Sequence, residues 1–249
     1  MPESTAPADA ATVVILRDGS GPDGEARVEV LLLERHGRGS FAGAWAFPGG
    51  RVDPEDAHPG DPAPSPADDD DGAAPAAVPL AVRRAAVRET SEETGLALRD
   101  ADLVDLSCWI PPQRVERRLR TWFFLAADPG GEIVLNDAEH VAFGWITPAT
   151  ALKRHAAGEL MLFPPTWVTL HGLLDAETAA LALAEAAARR PGRYASVQLF
   201  GEDGRIEAVM WPGDSQYGDP AAAGTARHRL TLTALPWVYE RTPPPSTAP

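Results

Sequence analysis

The segment LAVRRAAVRETSEETGL, residues 80–96, constrains the chain more than any other. It reads as one helix from Leu80 to Thr94, with Gly95 placed as its C-terminal stop. Glu89, Glu92 and Glu93 stand at i, i+3 and i+4, so their carboxylates share one side of a single turn. Like charges at that spacing cost a bare helix about 0.2–0.5 kcal/mol per pair, so the pattern calls for a cation. Carboxylate oxygens are hard ligands suited to Mg2+ or Mn2+. Arg88 lies four residues before Glu92 and can orient a carboxylate by a charge-assisted bond, while Ala85 and Ala86 let the helix approach a sheet closely.

The sequence around this helix alternates strands and loops. ATVVILRD (11–18) and RVEVLLLER (27–35) read as strands, and residues 1–10 as a disordered leader. GRGSFAGAWAFPGGRVDPED (37–56) is a glycine-rich loop around a short apolar piece, in which glycines permit close approach of backbone to a ligand. Residues 57–79 carry almost no large apolar side chain and read as a flexible insertion, with Asp68–Asp71 a solvated, self-repelling run. Further strands are expected at 101–110, 120–128 and 140–146, then a helix from Thr147-Pro148 and one long helix over 164–190. From residue 191 onward, short strands form a C-terminal extension of no evident role.

Bulk properties narrow the function. The formal net charge of −14 over 249 residues argues against a nucleic-acid or membrane-surface binder, which needs a basic footprint. A single cysteine, Cys108, excludes an intrachain disulfide and reads as a buried strand residue. No run approaches the roughly 18–20 apolar residues of a membrane span, and the N-terminus lacks the basic region of a signal peptide, so a cytoplasmic location is expected.

Taken together, Gly50, Asp56 and Arg88–Leu96 resemble the box of the Nudix hydrolase family, G-x5-E-x7-R-E-U-x-E-E-x-G-U, where U is apolar and Thr90 occupies the first U. Two departures stand out. Asp56 replaces the usual glutamate, and residues 57–87 replace a short spacer, so the insertion interrupts the box. A long insertion there, preceded by GG-x-x-D-x-x-D, resembles the acyl-CoA diphosphatase branch. The stretch LLLERHGRGSFAGAWAFPGG resembles its upstream coenzyme A motif, with Arg35 and Arg38 each displaced by one position; RRLRTWFFLA and WITPATAL followed by FPPT resemble its downstream segments.

The resemblance implies an α/β/α sandwich with a mixed β-sheet over residues 11–190, and a metal-dependent hydrolase of a nucleoside diphosphate linked to another group. It implies Mg2+ or Mn2+ as cofactor, with Glu89, Glu92, Glu93 and Asp56 as the ligand set. Glu89 is a ligand or the general base, and Glu139 is a base, a further ligand or an ordinary loop acid. Arg88 supports the carboxylates, and Gly49, Gly50, Arg35, Arg51 and Arg118 are the expected substrate contacts. Trp45, Phe47 and Trp109 read as core residues before base-stacking ones, and His140, His155 and His171 lack ligand spacing. The substrate class is CoA or acyl-CoA, with ADP-ribose, NADH, a dinucleotide or a nucleoside triphosphate as alternatives; a non-catalytic nucleotide sensor is the alternative of another kind. The small-molecule nucleotide is the expected partner, and a homodimer stays open.

Overall fold

A computed structural model describes residues 7–21, 24–37, 42–62, 77–114 and 118–242. The central sheet is mixed and has eight strands: β1 (Ala8–Ser20), β2 (Ala26–Arg35), β3 (Trp45–Ala46), β4 (Gly49–Arg51), β5 (Val104–Ile110), β6 (Leu119–Ala127), β7 (His140–Ile146) and β8 (Gly192–Ala195). Its main path runs β3-β2-β1-β6-β5-β8, with β4 paired to β1 and β7 to β2. β1 pairs parallel with β6 and antiparallel with β2, so it lies in the middle. That position explains its unbroken run Val13-Val14-Ile15-Leu16, fully buried because each face of the strand meets its own core.

Helix α1 (Leu80–Thr94) covers one face, where Val82, Ala85 and Ala86 pack on Ala11, Val13, Leu31, Trp122 and Phe124. Helices α2 (Pro148–Ala156), α3 (Pro164–Gly172) and α4 (Ala179–Ala187) cover the other, over Val14, Leu16, Val30, Leu32 and Phe123. This is the mixed sheet between helices that the resemblance implies, with a further antiparallel sheet following it. That second sheet holds β9 (Val197–Phe200), β10 (Ile206–Met210), β11 (His228–Thr231) and β12 (Val238–Arg241), in the order β12-β11-β10-β9.

Helix α1 has the expected limits, and Gly95 takes the left-handed conformation (φ 73°) while its N–H donates to Ser91 O. Three expectations need correction. The leader does not reach residue 10: residues 8–10 open β1, because the Asp9 carboxylate accepts from Arg120 Nε at 2.6 Å and Trp122 Nε1 at 3.0 Å. The helix expected over 164–190 is two helices. Its break is fixed by Val28 N–H donating to Ala176 O, by the Asp18 carboxylate accepting from Ala179 N–H, and by Thr178 capping α4. The extension does not start as a separate unit, since β8 pairs parallel with β5 and completes the central sheet.

At the insertion, Asp61 on the described flank pairs with Arg84 on α1 at 2.7 Å; residues 63–76, including Asp68–Asp71, lie outside the described residues. Cys108 is buried in β5. Phe47 and Trp109 are buried in the core and Trp45 packs against it, so core packing accounts for all three. Among the described residues, no helix is long and apolar enough to cross a membrane.

An aromatic set ties the second sheet to the first. Trp109 stacks on Tyr194 at 3.9 Å, and Trp211 meets both rings edge-on at 5.7 and 5.5 Å. Beside it, Asp214 is fully buried, accepting from Arg229 Nε (2.7 Å), His228 N–H (2.9 Å) and Gln216 N–H (2.9 Å). Burial pushes the Asp214 carboxyl up, but these donors outweigh it and hold it at about 2, below the ordinary 3.8. A depressed carboxyl contributes stability above its unfolded value and loses it as pH falls toward the folded one. Asp214→Asn should therefore cost about 3–5 kcal/mol at neutral pH, because Arg229 keeps a buried charge without its partner. Denaturant titrations should show the difference from wild type shrinking between pH 4 and pH 2 (about the window of those two values).

Candidate active site

The carboxylates of α1 differ in depth. Glu93 is 3% exposed at its side chain and points into the sheet, Glu89 is 14% exposed, and Glu92 is 57% exposed on the outer side of the turn. The Gly49 N–H donates to Glu93 Oε2 at 2.7 Å, so the glycine loop and the helix meet at this oxygen. Both loop glycines are required by space. Gly49 has φ 152°, and a Cβ there would run into the Ala11 carbonyl and Thr12 backbone. A Cβ on Gly50 would fall within the carboxylate of Glu89.

Arg88 is the cation that the acidic turn called for, at least in part. Its Nη1 donates to Glu89 Oε1 at 2.9 Å and to Glu92 Oε2 at 3.3 Å. Its Nε and Nη2 grip both oxygens of Asp56, at 3.1 and 2.9 Å, and Nη2 also reaches Arg51 O at 3.0 Å. Asp56 is buried, and its Oδ2 caps the short 3-10 helix Pro54–Asp56 by accepting from Asp53 N–H. Burial raises the Asp56 carboxyl, but Arg88 and the Asp53 N–H bring it below 3.8, while Asp56 and Glu89 raise the Arg88 guanidinium further.

The segment after α1 brings a second acidic group. Val134 N–H donates to Thr94 O and Asn136 N–H to Glu93 O, which docks residues 134–140 on the last turn of the helix. Glu139 thereby comes within electrostatic reach of both Glu89 and Glu93 and raises the pKa of each. Its own Oε1 accepts from Asn136 Nδ2 at 3.4 Å. His140, the next residue, is buried with Nε2 3.6 Å from Glu93 Oε1. Burial, with Arg35 and His36 beside it, lowers its pKa to about 4, so the imidazole is neutral. The sequence reading left His140 without a role; its one signal was a histidine opening a strand directly after Glu139.

Burial lifts Glu93 to about 8; the Gly49 N–H and Arg35 pull the other way, and Glu89 and Glu139 push it up further. Glu89 is raised too, first by burial, against the hydrogen bond from Arg88. A buried group of hard oxygen donors that oppose one another's ionisation fits a divalent cation in its chemistry. Among the described residues, no three His, Cys, Asp or Glu side chains are gathered closely enough to hold an ion as they stand, since Glu89 and Glu92 turn to Arg88.

The arginines divide. Arg35 lies close enough to act on the charge of Glu93 and His140. Arg51 meets the box through its backbone carbonyl. Arg118 donates to Pro111 O at 3.5 Å in the β5–β6 connection; among the described residues no hydrogen bond or ion pair joins it to the α1 carboxylates.

The sequence model of the NUDIX domain matches residues 81–165, which span α1 and the docked segment with Glu139 and His140. The matched stretch is similar to a NUDIX domain. A Nudix hydrolase from Alicyclobacillus acidocaldarius is similar at 26% identity and a TM-score of 0.56, over 72% of this chain and 96% of that one. The NUDIX domain of Shewanella oneidensis NrtR, crystallised with ADP ribose, is similar at 17% identity and a TM-score of 0.44, over 69% and 89%. An Ap4A hydrolase from C. elegans is similar at 20% identity and a TM-score of 0.39, over 71% and 99%. A comparison with curated proteins found no match. Nudix hydrolases generally use divalent metal ions, in keeping with the carboxylates on α1.

Two outcomes are expected. Between pH 4.5 and about 8 the folded chain keeps a proton on Glu93 that the unfolded chain has released, so stability falls as pH rises through that window. With a chelator present, Glu93→Gln should gain on wild type by up to about 1.4 kcal/mol per pH unit from pH 5 to 8 in thermal melts, and Mn2+ should close the gap. Gly49→Ala should destabilise by about 1–3 kcal/mol, and Gly50→Ala by less, because a backbone blocks the first and a movable side chain the second.

Proposed function

We propose that this chain is a Mg2+- or Mn2+-dependent diphosphatase that splits the pyrophosphate bond of a nucleoside diphosphate linked to another group, with CoA and acyl-CoA as its substrates. The observation that carries the chemistry is Glu93, a deeply buried carboxylate fixed by the Gly49 N–H and flanked by Glu89 and Glu139. Glu89, Glu92 and Glu93 hold the cation in this reading. When bound, the cation neutralises charge on the diphosphate oxygens and activates water.

Asp56 serves differently from a ligand. Both of its oxygens are engaged by Arg88, so it anchors the guanidinium that sets Glu89 and Glu92. The shorter aspartate suffices for that task because Arg88 reaches across to it. Glu139, whose side chain carries one long bond to Asn136, takes the proton of the attacking water. Arg35, beside Glu93, meets phosphate charge in an otherwise acidic site. Arg118 stands apart from the carboxylates and suits a more distant part of an extended substrate. The substrate class rests on the sequence: Gly43–Gly50 with its upstream leucines, and the insertion inside the box.

The test is a panel of CoA, acyl-CoA, ADP-ribose, NADH and nucleoside triphosphates with Mg2+ or Mn2+, products being identified by mass. Release of 3′-phospho-AMP and a phosphopantetheine product from CoA compounds is expected, with Glu93→Gln slower by about 100-fold or more. Preferential turnover of ADP-ribose or NADH overturns the substrate class and keeps the site. Undiminished turnover by Glu93→Gln overturns the site. Tight nucleotide binding without turnover would make the protein a sensor.

A further inference from the structure

We propose that His140 is a positioning residue that sets the orientation of the Glu93 carboxylate toward its cation, an inference that rests on Glu93 being a ligand as proposed above. The argument starts from the two oxygens of Glu93. Oε2 is fixed by the Gly49 N–H at 2.7 Å, and Oε1 faces His140 Nε2 at 3.6 Å. The two groups come from different parts of the chain, the glycine loop and the first residue of β7, and together they define how the carboxylate is turned.

The imidazole has little freedom to do anything else. Its side chain is 2% exposed, and that of Glu93 is 3% exposed. His140 N–H donates to Asn136 O, and Asn136 N–H donates to Glu93 O, so one short stretch of backbone returns from the helix end and delivers the ring to the side chain of the same glutamate. On the far side, β7 is locked to β2 by the pairing of His140 with Arg35.

Chemistry selects the tautomer. Nδ1 is buried and has no hydrogen-bond partner among the described residues. As a ligand Glu93 is ionised, and a proton on Nδ1 would then leave that N–H orphaned and turn the lone pair of Nε2 toward a carboxylate. A proton on Nε2 instead faces an acceptor and leaves only a lone pair unmet at Nδ1. At 3.6 Å the pair lies beyond hydrogen-bond length, at a spacing from which contacts in unliganded active sites commonly tighten. Carboxylates that ligate metals are themselves held by such outer donors, and losing one costs about 10–100-fold in affinity.

The test uses the full chain and Mn2+ alone, followed by electron paramagnetic resonance and calorimetry, on wild type, His140→Met and His140→Gln. Methionine fills the space without a donor, whereas the glutamine amide places an N–H close to that of Nε2. His140→Met should weaken Mn2+ binding by about 10–100-fold, and His140→Gln should stay within about threefold of wild type. Equal affinity in wild type and His140→Met overturns the proposal. So does a glutamine variant as weak as the methionine one while both melt with wild type in chelator, since a purely structural role is then sufficient. A wild type that binds no Mn2+ overturns the metal reading of the box itself, a distinct result. If His140→Met does not fold, 15N spectra of the wild-type histidines with Mg2+ present decide: Nε2–H is expected, and an Nδ1–H tautomer overturns the proposal.

Discussion

The contacts of Arg88 hold the acidic half of this molecule together. One guanidinium bridges Asp56, Glu89, Glu92 and the Arg51 carbonyl, and so ties the loop half of the box to the helix half. That bridge explains why a long insertion between the halves is tolerable. Closing a longer loop costs only about 0.6 kcal/mol per doubling, and Arg88–Asp56 with Arg84–Asp61 fixes the described flank of the insertion against α1. The pairs are half-buried and multidentate, which gives them more weight than an exposed ion pair.

Arg88 does not relieve every carboxylate. It reaches Glu89 and Glu92, while Glu93 relies on one backbone N–H and the field of Arg35. The charge of Glu93 is therefore the least compensated in the turn, which is how burial comes to lift it to about 8. A site that is uncomfortable when empty of cation gains most from receiving one. In the proposed reading stability and function are opposed at this residue, and the loop that carries Glu139 and His140 is built directly onto it.

The C-terminal sheet reaches toward the site through the core. Tyr194 and Trp211 both meet Trp109, and Trp211 belongs to the same apolar cluster as Phe47 and Phe123. Phe47 directly precedes the Pro48-Gly49-Gly50 turn, so packing behind that turn extends from the extension to the loop that holds Glu93.

What the sequence determined is what local chemistry can specify. The limits of α1 follow from its own residues and the left-handed Gly95, and the three glutamates are adjacent whatever surrounds them. β1, β2 and β7 were legible from apolar runs bounded by turns. Tertiary structure decided everything that depends on a distant partner. The break between α3 and α4 needs Asp18 and Val28, the strand character of residues 8–10 needs Arg120 and Trp122, and the place of β8 needs the open edge of β5. The same holds inside the site: that Asp56 meets Arg88, that Glu93 is the buried carboxylate and that His140 faces it are consequences of packing, because burial and long-range contact leave no mark on spacing along the chain.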